Sequence, residues 1–275
     1  MSIRILFLGE IVGKPGIQTI KSALKRLRAD KQVDLVVANA EGTTNGFGIG
    51  RAHAIQLQKL GIDIITGGEK IYYKLDMVDF IAKNPSILRP ANFPQGVPGR
   101  GIRYASVGDK KIVVINLLGN SEFPRTHLAN PFLLVENLVE KAKEETPFVF
   151  VQFHAATTAE KNTMAFLLDG RVTAMVGTHT KVLSADARIF PKGTAMVTDN
   201  GRCGSQMSVG GFDPNLEITK FVTQVPARSR ECWDSLEMQG VLVEAGDDGK
   251  ALSIETIRVP VETPVKPGEE NEKEA

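Results

Sequence analysis

The sequence predicts an α/β fold, and three observations carry that prediction. Short β-branched runs recur, each bounded by a turn. Amphipathic stretches of helical period separate them, and the spacing from strand to helix to strand suits a parallel sheet with right-handed crossovers. Ile3 to Leu8 is a compact apolar run, short enough for a buried strand. Pro15 then opens a stretch with Ile17, Ile20, Leu24 and Leu27 on one face and Lys21, Lys25 and Arg28 on another, which predicts a helix with proline in its first turn. Val33 to Val37 reads as the next strand, Ala52 to Leu60 as a helix and Ile62 to Ile65 as a third strand.

From about Lys70 to Arg103 the periodicity weakens, and Pro85, Pro90, Pro94 and Pro98 fall close together. This predicts a helix followed by a stiff, irregular segment that forms a small cap or rim over the sheet edge. Strands resume at Ile112 to Leu117, Phe148 to Phe153 and Val172 to Val176, with helices over Phe132 to Lys143 and Ala159 to Leu168. Ala187 to Thr198 turns through Pro191, Lys192 and Gly193 as an antiparallel hairpin. A second hairpin pairs Val241 to Val243 with Leu252 to Val259 across the Gly246–Asp247–Asp248–Gly249 turn. A single domain over 1–261 and a disordered tail over 262–275, rich in Pro, Glu, Lys and Asn, complete the expected layout.

At 275 residues the chain can bury one large core. Its formal net charge of +1 gives no electrostatic footprint for nucleic acid, so duplex binding is not expected. Cys203 and Cys232 lie far apart without a pairing motif; a reduced, cytoplasmic setting is the simpler reading, and a single disulfide stays open. No apolar stretch approaches the ~20 residues of a membrane helix, and no signal peptide is recognisable.

Chemistry-bearing residues gather where strands end, which is where open α/β sheets bind ligands. Glu10 follows the first strand, Asn39 and Glu41 the second, Glu69 the third, and His154 and His179 two later ones. Mixed oxygen and nitrogen donors of this kind suit Mn, Fe or Zn better than Mg or Ca. Isolated histidines such as His53 and His127 are set aside as surface or core residues. The Gly13–Lys14–Pro15–Gly16 turn is too short for a P-loop.

GEIVGKPG from Gly9, NAEGTTNGFGI from Asn39, GGEK from Gly67, RPANFPQGVPGRG from Arg89, FHAATTAEK from Phe153, LDGRVTAMVGTHTKV from Leu168 and GTAMVTDNG from Gly193 occur in that order. Together they resemble the YmdB-like branch of the calcineurin-type metallophosphoesterases, from Ile3 to about Val259. The resemblance implies a sandwich of mixed sheets flanked by helices, a two-metal centre, and hydrolysis of phosphodiesters, with cyclic nucleotides as substrates. It also implies that the loop holding Asn45 borders the substrate, with Asn39 beside it.

Carried over position by position, the family pattern is altered here. The aspartate that ligates the first metal corresponds to Glu10, longer by one methylene or about 1.5 Å. The bridging glutamate is Glu41, but the asparagine after it is Gly42. In place of an asparagine ligand and a proton-donating histidine stand Glu69 and Lys70. His154 and His179 are retained, while Ala156 replaces an acid and Lys181 replaces a first-metal histidine. The second-metal set becomes Glu41, Glu69, His154 and His179, a competent group of four. The first-metal set becomes Glu10, Glu41 and Lys181, and a protonated amine ligates no metal.

One divalent ion or none, rather than two, is therefore expected, with Lys181 standing in for the other cation. Two functions follow. The first is a divergent phosphodiesterase in which Lys70 occupies the catalytic position and Lys70 and Lys181 contact phosphate. The alternative is a catalytically silent member that binds a nucleotide or a protein partner in a regulatory role. The expected ligand is a small phosphoester or nucleotide, no membrane is involved, and self-association into a homo-oligomer stays open.

Overall fold

The computed structural model describes residues 2–123 and 128–263. His127 and, from residue 264 onward, the expected tail lie outside the described residues. The chain opens with β1 (Ile3–Leu8), β2 (Glu10–Ile11), α1 (Gly13–Asp30), β3 (Leu35–Asn39), α2 (Arg51–Lys59) and β4 (Ile64–Thr66). The segment rich in proline holds α3 (Leu75–Lys83) and β5 (Ile87–Leu88), and leads into β6 (Ile102–Val107), a strand that periodicity did not predict. Next come β7 (Lys110–Leu118), α4 (Pro131–Glu145), β8 (Phe148–His154), α5 (Thr158–Leu168) and β9 (Ala174–Thr178). The last part consists of β10 (Arg188–Ile189), β11 (Ala195–Val197), β12 (Arg202–Ser205), α6 (Pro214–Thr223), β13 (Leu236–Ala245) and β14 (Ala251–Val261).

These strands form two sheets. One runs β2-β12-β13-β1-β3-β4-β5, with β14 also on β13; the other runs β10-β11-β9-β8-β7-β6. The strand–helix alternation correctly predicts the parallel stretches β1–β3–β4–β5 and β7–β8–β9–β11. Both sheets are nonetheless mixed, because β13 returns antiparallel to β1 and β6 pairs antiparallel to β7. Both expected hairpins are present, β10 with β11 and β13 with β14.

The sheets face each other across an apolar layer in which Ile5, Phe7 and Val37 meet Val114, Phe150 and Val176. Phe7 and Phe150 pack with ring centroids 5.8 Å apart at its centre. α1 lays Ile17, Ile20, Leu24 and Leu27 on the outer face of the first sheet, as its periodicity predicts. Val135 and Val139 of α4, with Met164 and Leu168 of α5, cover the outer face of the second. The result is a layered α/β/β/α sandwich. Its parallel strands are buried on both faces, which is why they read as continuous apolar runs rather than alternating ones. Cys203 and Cys232 are free and buried. Among the described residues no helix is long and apolar enough to cross a membrane.

Candidate metal and phosphate site

The carboxyl ends of β1, β3 and β4 from one sheet and of β8 and β9 from the other meet at one end of the sandwich, and they bring the strand-end residues together. Glu69, on the turn after β4, His154, the last residue of β8, and His179, just past β9, each present one ligand atom within 4.8 Å of the others. His154 is fully buried. Its Nδ1 lies 2.8 Å from Thr178 Oγ1 and its Nε2 lies 3.1 Å from His179 Nδ1. Glu69 Oε2 sits 3.1 Å from the same Nε2 and is buried without a well-aligned hydrogen bond. The Phe123 ring packs on both imidazoles, stacked on His154 and edge-on to His179.

Charges in the cluster are set by burial and by each other. Burial opposes the imidazolium of His154, yet Glu69, Glu41 and Glu10 raise it above its ordinary value. Burial, reinforced by His154, pushes His179 down to about 3, which leaves its lone pair available. Burial would raise the Glu69 carboxyl, but hydrogen bonding and charge from His154 and Lys70 hold it below the usual range. Lys70 Nζ lies 3.0 Å from Glu69 Oε1. Burial works against that ammonium too, and Glu69, Glu10 and Glu41 overcome it, so Lys70 is a firm cation.

Glu41 is fully buried, and its carboxylate accepts the backbone N–H groups of Gly68, at 2.5 Å, and of Lys70. Burial and the Glu69 charge lift it to about 7. Thus the four residues expected to hold the retained cation separate into three converging ligands and one carboxylate bound by the β4 loop. Asn39 points its amide inward. Its Oδ1 accepts the Glu41 N–H at 3.0 Å and its Nδ2 lies 3.3 Å from His154 Nδ1, so it braces two site residues from one side chain. Asn45 lies on the exposed turn with φ of 57°.

The residues expected at the other cation position, Glu10 and Lys181, meet each other. Lys181 Nζ lies 3.2 Å from Glu10 Oε1, and Glu10 is buried. A Cβ built on Gly42 would come within 2.5 Å of that same oxygen. The longer acid, the missing side chain at 42 and the lysine therefore fit one another. His179 and Lys181 both adopt positive φ, 108° and 62°, a strained conformation for residues with side chains. The loop is held by Asp199, which accepts the Thr180 N–H at 2.8 Å, and by Arg202, which donates to the Lys181 carbonyl at 2.7 Å. Asp199 is in turn paired with the fully buried Lys161 at 3.1 Å.

Thr178, Asp199, Lys161 and Phe123 are site residues that sequence reasoning missed. Asp199 had a usable signal, since it follows β11 just as Glu69 follows β4. Phe123 had none. His53, set aside earlier, is 2.8 Å from Thr44 Oγ1 and outside the cluster.

A divalent cation fits the first group. One carboxylate and two imidazoles, converging with an unaligned buried oxygen among them, form an oxygen–nitrogen set suited to Mn, Fe or Zn. Beside Glu10 the Lys181 ammonium supplies a positive charge, and Glu10 Oε1, like Glu69 Oε2, is buried without a well-aligned hydrogen bond.

Residues 6–257 match the sequence profile of the YmdB-like proteins. The chain is 38% identical over 258 residues to a 2',3'-cyclic-nucleotide 2'-phosphodiesterase of Bacillus subtilis (strain 168), covering 94% of this chain and 97% of that one. Among solved structures it is similar to a novel phosphatase from Mycoplasma pneumoniae, with a TM-score of 0.88, 36% identity and 94% of each chain covered. It is also similar to a hypothetical protein from Thermus thermophilus, with a TM-score of 0.86 and 29% identity over 94% of this chain and 99% of that one. Near-complete matches to sequence and fold lead to one assignment: the chain belongs to the YmdB-like protein family.

Proposed function

We propose that the protein is a phosphodiesterase acting on small phosphodiesters of the cyclic-nucleotide type, from a site that holds one divalent cation. The observation that carries this reading is the convergence of Glu69, His154 and His179, with Lys181 seated on Glu10 where a second cation would lie. Similarity to the Bacillus subtilis cyclic-nucleotide phosphodiesterase supports the substrate class. Held by the three ligands, the cation would supply Lewis acidity towards a phosphoryl oxygen.

The chain's own residues do the rest. Lys70 and Lys181 present two ammonium groups to the phosphate and offset its charge. Asn39 and Thr178 fix the ring of His154, and Phe123 keeps water from one side of both imidazoles. Hydrolysis puts a hydroxyl on phosphorus and a proton on the leaving oxygen. Lys70, held cationic by three carboxylates, is poorly suited to give that proton. Turnover should therefore lack the roughly 10²–10⁴-fold contribution of a matched general acid.

Hydrolysis of 2',3'-cyclic AMP with added Mn²⁺ tests the proposal. Slow turnover that vanishes in His154→Ala and in His179→Ala is expected, and turnover unchanged in His154→Ala contradicts it. One observation favours the silent alternative: Lys70 Nζ, 3.0 Å from Glu69 Oε1, competes with a metal for that carboxylate. That reading predicts no turnover with any metal, together with thermal stabilisation by nucleotide.

A further inference from the structure

A cavity of about 770 Å³ opens beside the site, lined by Asn45, Phe212, Leu216, Arg228, Glu231 and Trp233 among others. Phe212 lines it, and Lys181 Nζ of the Glu10–Lys181 ion pair lies 6.0 Å from the centroid of the Phe212 ring. Cavity and ion pair thus share one aromatic wall. The turn bearing Asn45 closes on that wall directly, since a Cβ on Gly46 would lie 2.3 Å from Phe212 Cζ. At φ of 80°, glycine meets both the conformation and the contact.

The remaining walls are fixed in place. Phe212 and Glu231 form an antiparallel bridge, and the Cys232 N–H donates to the Gly211 carbonyl at 2.9 Å. Glu231 Oε1 accepts the Lys14 N–H at 3.2 Å, and Arg230 pairs with Asp213 at 3.0 Å. Arg228 is exposed and, among the described residues, makes no ion pair. Two half-buried aromatic rings, an aliphatic side chain, an amide, two guanidinium groups and a carboxylate thus line one recess next to the Lys181 ammonium. That combination suits a flat heteroaromatic ring with polar edges, because stacking needs only a π-face and edge groups supply the hydrogen bonds.

We infer that this cavity holds the base of a nucleotide whose phosphate lies at Lys181, with Phe212 and Trp233 as stacking surfaces and Asn45 and Arg228 at the base edge. The inference rests on the phosphoester reading for the position of the phosphate.

Trp233 is the chain's one tryptophan, so its fluorescence reports the cavity without turnover. The test titrates metal-free, full-length protein with adenosine 3'-monophosphate, ribose 5-phosphate and inorganic phosphate. Saturable quenching by the nucleotide alone is expected, with affinity about 10-fold weaker in Phe212→Leu. No quenching by the nucleotide, or equal quenching by the two base-free phosphates, overturns the inference, and so does unchanged affinity in Phe212→Leu. The wild-type comparison needs no variant, so it stands even where Phe212→Leu fails to fold. Quenching in a protein that hydrolyses no phosphodiester leaves the base cavity in place and removes the hydrolytic reading. Hydrolysis of cyclic nucleotides without quenching has the reverse meaning.

Discussion

Glu10 Oε1 and Lys181 Nζ stand 3.2 Å apart at the end of the sandwich, and the space beside Glu10 exists because residue 42 has no side chain. A buried carboxylate needs a cation or a proton. Here the Lys181 ammonium, part of the chain itself, supplies a positive charge to that carboxylate.

Reversing that exchange should restore the second cation. The double variant Glu10→Asp with Lys181→His shortens the acid and returns a lone pair to the loop after β9. Bound Mn²⁺ per chain should rise from one equivalent towards two by elemental analysis. Lys181→His alone should give a smaller rise, since Glu10 still crowds the position.

Gly42→Ala should destabilise the protein by roughly 1–3 kcal/mol, because its Cβ meets a carboxylate oxygen that is buried and held by Lys181. Adding Glu10→Asp should recover most of that loss. Denaturant midpoints of the two single variants and the double variant measure the coupling.

Glu41 titrates near 7 in the folded, metal-free protein, against 4.5 ordinarily. Its folded pKa is raised, so the folded state binds more protons than the unfolded one between about pH 4.5 and 7, and stability falls as pH rises through that window. His179, with its folded pKa lowered, acts oppositely over part of it. The difference between wild type and Glu41→Gln isolates the effect. Gln should become progressively less destabilising, or more stabilising, from pH 4.5 to 7, by roughly 1–3 kcal/mol in total. A difference independent of pH in urea titrations would remove the assignment.

Lys161→Met should cost about 3 kcal/mol, since it strands the buried Asp199 charge. It should also reduce metal affinity, because Asp199 holds the Thr180 N–H between His179 and Lys181. Urea denaturation and Mn²⁺ titration report the two effects separately.

Much of this fold was readable in the sequence because its parallel strands are doubly buried, and runs such as Ile3 to Leu8 carry that burial openly. β12 was not readable. It is four residues long, contains Arg202 and Gly204, and owes its place to pairing with β2 and β13. α6 was missed for a different reason: Glu217 is its buried residue, while Ile218, Phe221 and Val222 face outward, so periodicity there does not report the core. At the site, position after a strand located Glu69, His154 and His179. Position could not show that two backbone N–H groups bind Glu41, nor that Lys161 reaches Asp199, because these pairings are set by packing between the sheets.

The most direct test of the central claim is the metal content of protein purified without chelator, by elemental mass spectrometry, for wild type and His154→Ala. One equivalent of Mn, Fe or Zn per chain, lost in the variant, is the predicted result. Two equivalents per chain would contradict the account, because Lys181 could not then be occupying the second position.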